Sequence, residues 1–410
     1  MVLIWNVLAQ VAYAVLAAVF LWLGWALHYH FSTTKVPCGV CQPLKLRILH
    51  VIGVLVFSLD HICWKMGFCH RFTMVRFLID GIPPSDDPML SIKDYTFEGV
   101  PVRSYQPKRP QAGLQRGILF FHGGCGIFGS IDAYERWSRY VTKESDSVLI
   151  SVGYRLAPES PYPSQFNDCL DATVHFMKSS ENYGVDPARI ILCGDSFGGM
   201  LTAYLCQELK SRTDLPKVRA QVLICPVLQS LDCRLPSYQQ NCFFPILTRV
   251  HIAKIAAVYL DKPTSLVDMA LAGNLIPESF QMKYKKWVNS DNIPQEIRIR
   301  NHNPALPPAP EDNLFNVISK LLSRRLCPLL AEDSFVKGLP ETYIQTCEYD
   351  VLRDDGLLYK KRLEDNGVSV SWYHLEDGFH DCQALINHWF ITFSNCKRGV
   401  SSVIDYVKGL

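Results

Sequence analysis

No dense run of lysine and arginine occurs anywhere in the chain, and the formal net charge is only +2 over 410 residues. A nucleic-acid-binding face needs clustered cations to displace counterions, so nucleic acid is not expected as a partner. Internal repeats are absent, and low-complexity content is limited to the proline-rich stretch 303–310 (NPALPPAP), which reads as a rigid loop. There is no second Cys-x-x-Cys beside Cys38-Gly-Val-Cys41, and that pair follows a hydrophobic segment rather than a βαβ strand. Zinc and dithiol redox chemistry are therefore not expected, and neither a metal nor a cofactor is implied. The 15 cysteines are scattered too widely to form a small disulfide scaffold. No Asn-x-Ser/Thr sequon is present. What remains, at 48% hydrophobic and 20% charged residues, is the composition of a globular chain.

One long apolar run is present. Val7 to Leu27 is 21 residues without a charge, enough at about 1.5 Å per residue to cross a bilayer core. Trp22 and Trp25 near its far end suit an interfacial belt. A cleaved signal peptide normally carries a basic start and a shorter apolar core, so residues 1–30 read as an uncleaved signal anchor. Lys35, Lys45 and Arg47 follow the run and nothing basic precedes it, which by the positive-inside rule leaves the body cytosolic. A second apolar stretch, Ile48 to Leu59, has 12 residues, too few to span, and reads as a buried or interfacial helix.

From Gly117 the pattern changes to short apolar runs separated by helical stretches. Segments 117–122, 147–154, 189–195, 220–227, 341–350 and 368–375 read as strands, most apolar on both sides. Segments 168–180 and 198–211 read as helices between them. This alternation predicts an α/β fold with a mostly parallel, doubly wound sheet. The strand rhythm stops between Val227 and Glu341, so an insertion at about 228–340 is expected to form a helical cap over the site. The expected organisation is an anchor (1–30), membrane-proximal helices (31–105) and a catalytic domain (106–410).

The chemistry centres on Gly194-Asp195-Ser196-Phe197-Gly198, a G-x-S-x-G at a strand-to-helix junction. A nucleophile elbow forces the serine into a strained turn, and small flanking residues avoid the clash. Gly123 and Gly124, after His122 at the end of an earlier strand, are expected to supply oxyanion-holding amides together with the amide of Phe197. His122 and Asp195 read as supporting residues, with His122 a structural hydrogen-bonding group rather than a base. Gly124-Cys-Gly-Ile-Phe-Gly129 also fits a dinucleotide fingerprint, but the next strand ends Val152-Gly-Tyr-Arg155 without the acid that would hold a ribose. Asp350 and His380 each follow a predicted strand downstream of the serine, the order the elbow requires. His380 is the expected general base and Asp350 its orienting acid; Asp354, Asp355 and Asp377 are rivals for the acid that better suit turn and helix-start roles.

Five ordered motifs, namely HGG at 122, YRLAPESPYPSQFND at 154–168, GDSFGG at 194–199, YDVLRDDG at 349–356 and DGFH at 377–380, resemble those of the hormone-sensitive-lipase branch of α/β hydrolases. The amino-terminal anchor and the length are similar to its arylacetamide deacetylase-like group. The resemblance spans essentially the whole chain. It implies an α/β-hydrolase fold and a carboxylesterase or deacetylase acting on hydrophobic esters, arylacetamides or lipid esters. It also implies a single-pass type II protein of the endoplasmic reticulum with a lumenal body, against the vote of the charge flanks. Carried over by position, the catalytic residues are Ser196, Asp350 and His380. Two departures stand out: Cys125 replaces the third glycine of an HGGG turn, and Phe197 replaces the usual alanine, a ring that would narrow the acyl pocket. A Cys125–Cys347 disulfide near the site is a further expectation. The alternatives from other classes are a non-catalytic binding protein on the same fold and a lipid acyltransferase.

Overall fold

Branched and aromatic residues on both faces of successive strands build the core, as a sheet covered by helices on two sides demands. The structure is a computed structural model and describes residues 2–108, 113–263, 265–273, 275–298 and 320–410. The strands are β1 (Leu90–Phe97), β2 (Val100–Pro107), β3 (Gln115–Phe121), β4 (Val148–Val152), β5 (Val185–Asp195), β6 (Ala220–Ile224), β7 (Glu341–Tyr349) and β8 (Val370–Phe379). They form one sheet in the order β1-β2-β4-β3-β5-β6-β7-β8. β1 and β2 are antiparallel to their neighbours and the remaining six run parallel. Alternate residues of β3 enter different cores. Leu119 and Phe121 face the cluster with Leu192 and Leu223, whereas Ile118 and Phe120 face the one with Ile191 and Val222. Burying each such side chain contributes about 1.5–3 kcal/mol.

From β3 the chain passes to β4 on one side and later to β5 on the other. Open parallel sheets bind ligands at such a switch point, beyond the carboxyl ends of the strands. β5 ends there at Asp195, directly ahead of Ser196. The helices α4 (Glu135–Ser145), α5 (Ser164–Ser179) and α6 (Phe197–Leu209) make the crossovers, and the last two overlap the helices predicted at 168–180 and 198–211.

Two expectations need correction. The sheet begins at Leu90 rather than after residue 105, because β1 and most of β2 lie inside the stretch assigned to membrane-proximal helices. Their mixed burial, with polar residues turned to solvent, gives no apolar run to notice. The second apolar stretch lies within a longer helix. The chain's amino-terminal helices are α1 (Val2–Thr33), α2 (Pro43–Lys65) and α3 (Thr73–Asp80). Pro43 starts α2 in its first turn, where proline's missing N–H costs nothing, and the helix continues through Lys45, Arg47 and Asp60. Both α1 and α2 are long and apolar enough to cross a membrane. On α2, Leu46, His50, Val54 and Ser58 form a buried stripe at four-residue spacing. Asp60 then caps α3, accepting from the amides of Phe72 and Met74 at 2.9 Å each.

Between β6 and β7 no strand occurs among the described residues. Helices Pro236–Gln240, Arg249–Tyr259, Ser265–Ala272 and Glu278–Tyr284 fill the stretch. The proline-rich segment 303–310 lies outside the described residues.

Candidate active site

The turn between β5 and α6 holds Ser196 at φ 52° and ψ −115°, a region costly for any residue with a side chain. Its flanks must be glycine. A Cβ on Gly198 would run into the backbone of Phe121 and His122, and one on Gly194 into the backbone of Gly198. Ser196 is buried to 2% exposure.

His380 follows β8, and its Nε2 lies 3.0 Å from Ser196 Oγ. Its Nδ1 lies 2.9 Å from Oδ2 of Asp350, which follows β7. The other Asp350 oxygen accepts the Leu352 amide at 2.8 Å, and Asn241 donates to the Asp350 carbonyl at 3.0 Å, so the carboxylate is fixed in place. Burial by itself would lower the His380 pKa, but the carboxylates of Asp350 and Asp381 outweigh it and hold the imidazole well above its ordinary value. The carboxyl ends of β5, β7 and β8 thus bring Ser196, Asp350 and His380 together. The rival acids have other partners. Asp354 pairs with Arg353, Asp355 accepts the Leu228 amide, and Asp377 pairs with Arg398.

Gly123 passes beside the serine, since a Cβ there would lie 3.1 Å from Ser196 Cβ and against Asp195. Gly124 has φ +103°, which favours glycine, and its carbonyl accepts the amides of Ile127 and Phe128. The amides of Gly123, Gly124 and Phe197 have no hydrogen-bond acceptor among the described residues. Gly123 lies against Ser196 and Phe197 follows it in the chain, so unpaired amides flank the nucleophile. His122 is buried and neutral, its pKa lowered to about 4 by burial. Its ring stacks on Tyr154 at 4.2 Å, Nδ1 lies 2.8 Å from the Gly123 carbonyl, and Tyr154 donates to the His122 carbonyl at 2.6 Å. Both residues hold the glycine turn. Asp195 is buried beneath it and accepts from Tyr134 Oη at 2.5 Å.

Phe197 packs edge-on against Tyr259 (5.3 Å) and Phe166 (5.9 Å). With Cys125, Gln229, Tyr238 and Tyr259 it lines an apolar cavity of about 140 Å³ beneath helices Arg249–Tyr259 and Ser265–Ala272. The Cys125–Cys347 bridge does not form. Cys125 lines the cavity, whereas Cys347 belongs to the core on the other face, where its sulfur lies 3.5 Å from that of Cys225, and all cysteines are free thiols. Tyr134, Asp381 and, through the Ile127 carbonyl, Arg76 have no assigned part in the sequence motifs, and Tyr154 opens the motif at 154–168 without an assigned role. Of the first three only Asp381, adjacent to His380, had a positional signal.

Residues 118–281 and 302–384 match the family model described as the alpha/beta hydrolase fold. Over 386 residues the chain is 41% identical to human arylacetamide deacetylase-like 4, covering 94% of this chain and 95% of that one. It is 33% identical to bovine neutral cholesterol ester hydrolase 1, covering 94% and 96%. Among solved structures it is similar to a hyperthermophilic esterase from the archaeon Pyrobaculum calidifontis, with TM-score 0.62 and 22% identity over 90% of this chain and 98% of the other.

Proposed function

Because the chain belongs to the arylacetamide deacetylase-like group of the α/β-hydrolase family, we propose that it is a serine hydrolase of hydrophobic carboxylic esters, with arylacetamides and lipid esters in the same substrate class. The observation that carries this reading is the hydrogen-bonded series Ser196–His380–Asp350 beside three unpaired amides.

In the proposed reaction His380 Nε2 takes the Ser196 proton as Oγ attacks the ester carbonyl. The amides of Gly123, Gly124 and Phe197 hold the developing oxyanion, where one donor is typically worth about 2.7–4 kcal/mol. Collapse breaks the C–O bond, and the leaving alcohol receives the proton from His380. Water then repeats the sequence on the acyl-serine, releasing the acid and restoring Oγ–H. Asp350 fixes the imidazole tautomer and stabilises the imidazolium in both halves.

The apolar cavity beside Phe197 would receive the acyl chain, and its small size favours short acyl groups. α1 would anchor the protein as a single-pass type II membrane protein of the endoplasmic reticulum, with the body in the lumen. Labelling by a fluorophosphonate probe tests the enzyme reading. Wild type should label and Ser196→Ala should not; equal labelling of the two overturns it.

A further inference from the structure

His380 Nε2, the nitrogen that must take the serine proton, has two neighbours. One is Ser196 Oγ at 3.0 Å and the other is Asp381 Oδ2 at 3.2 Å. Asp381 does not drift into this position on a flexible chain. Its backbone is left-handed, at φ 50° and ψ 28°, and its side chain is only 16% exposed. Its other oxygen, Oδ1, accepts from Gln383 Nε2 at 3.3 Å, and its carbonyl accepts the Ala384 amide at 3.0 Å. Glycine adopts that conformation at lower cost than aspartate. The carboxylate is thus held on the imidazole at a backbone position where a residue without a side chain would fit more easily.

Asp195 completes the arrangement. Burial pushes its pKa well up, and the nearby Asp381 carboxylate adds to this against the opposing hydrogen bond from Tyr134. Its Oδ1 is buried with no hydrogen-bond donor among the described residues. Burial beside a second carboxylate disfavours the ionised form of Asp195. Two thiols also face the imidazole. The Cys125 thiol is pushed up to about 11 and the Cys225 thiol is raised. His380 therefore lies between two carboxylate groups, Asp350 on Nδ1 and Asp381 on Nε2.

We propose that Asp381 is a second carboxylate partner of His380, a positioning residue that holds the Nε2 proton of the resting imidazolium and so sets the pH at which the imidazole becomes free to accept the proton of Ser196. This rests on the reading of His380 as the base. The pair works in both directions. Asp381 makes the imidazole a stronger base once free, and delays its release until the pH rises past the elevated pKa. Activity is lost as pH falls through that value, because the protonated ring has no lone pair for the serine hydrogen.

The test is the pH profile of kcat/KM from pH 5 to 9 for the full chain in membranes, with phenyl acetate as substrate and phenol measured by chromatography. The acid limb of the wild type should lie above about 6.5, the ordinary histidine value. Asp381→Asn and Asp381→Gly should each move the limb down by about one pH unit, the usual effect of removing one opposite charge. Well below the wild-type limb, this makes each variant about tenfold more active relative to its own plateau. The position of the limb is the readout, whatever the plateau height, since a merely structural role would lower the plateau and leave the limb in place. Glycine suits the left-handed backbone and asparagine keeps the shape, so the two variants perturb folding in different ways. A wild-type limb at or below 6.5, or a limb that stays or rises in the variants, overturns the proposal. Ser196→Ala separates the two levels. If it retains wild-type turnover the enzyme reading fails, whereas an unmoved limb in an enzyme that depends on Ser196 removes only the role of Asp381.

Discussion

Arg76 on α3 donates Nε–H to the carbonyl of Ile127 at 2.8 Å, tying the amino-terminal helices to the glycine turn beside Ser196. The same guanidinium donates to the Ala157 carbonyl at 2.6 Å and pairs with Glu159 at 2.9 Å. One planar fork thus bridges α3, the oxyanion turn and the loop after β4. Arg76→Ala should cost about 2–3 kcal/mol of stability, the scale of charge-assisted hydrogen bonds to otherwise unpaired carbonyls. It should also lower kcat about tenfold with little change in KM, because the turn serves the transition state. Arg76→Lys should recover little of this, since an ammonium lacks the fork that reaches two carbonyls. Steady-state kinetics with a urea midpoint for each variant checks both parts.

Phe197 makes a prediction about selectivity. Its ring closes one side of the apolar cavity and packs on Tyr259. Phe197→Ala should open space for a longer acyl chain while keeping the backbone amide. Each added methylene in an apolar pocket is worth about 1–3 kcal/mol, so the kcat/KM ratio of hexanoate to acetate esters should rise at least tenfold. Stability should fall by about 3 kcal/mol or more from the cavity created. A chain-length series with p-nitrophenyl esters measures the ratio, and an unchanged ratio would show that Phe197 does not limit the acyl group.

Much of the site was legible because the chemistry is local in sequence. Ser196 is marked by glycines that the turn requires, Asp350 follows a strand whose apolar run is plain, and His380 follows the next strand in the chain. The hairpin β1–β2 was not legible, since one face is wet and the residues alternate without a continuous apolar run. The full length of α2 is hidden because charged residues lie along the same helix as the apolar segment. Arg76 was invisible for a different reason. Its partners Ile127 and Ala157 offer only backbone carbonyls, which carry no residue-type signal. The face that Cys347 takes is not legible either, because proximity to Asp350 in sequence does not fix it and alternate residues of a strand face opposite ways.

Asp355 gives a pH dependence of stability. Burial pushes its carboxyl up to about 7, against the hydrogen bonds from the Leu228 amide and Gln229. The folded value lies above the unfolded one, so the stabilisation is fully present below about pH 3.9 and is lost as pH rises through about 7. Across that window the slope is at most ~1.4 kcal/mol per pH unit. Asp355→Asn cannot ionise and should lack this contribution. The gap between wild-type and variant urea midpoints should therefore move in favour of the wild type as pH falls from 7.5 to 5. A constant gap would remove Asp355 as the source.

The orientation of the body can be read by glycosylation, because the sequence has no natural sequon to confuse the result. The positively charged flank of Lys35, Lys45 and Arg47 argues for a cytosolic body, and the proposed type II arrangement argues for a lumenal one. Ser211 is exposed in the turn after α6 and is followed by Arg212 and Thr213. Ser211→Asn therefore creates a complete acceptor at a surface position far along the folded domain, without touching the site. If the body is lumenal, the variant expressed in cells should migrate more slowly on a denaturing gel, and endoglycosidase H should restore the wild-type mobility. Protease added to intact microsomes should leave the carboxy terminus protected. An unglycosylated variant whose carboxy terminus is cleaved would place the body in the cytosol, as the charge flank alone predicts.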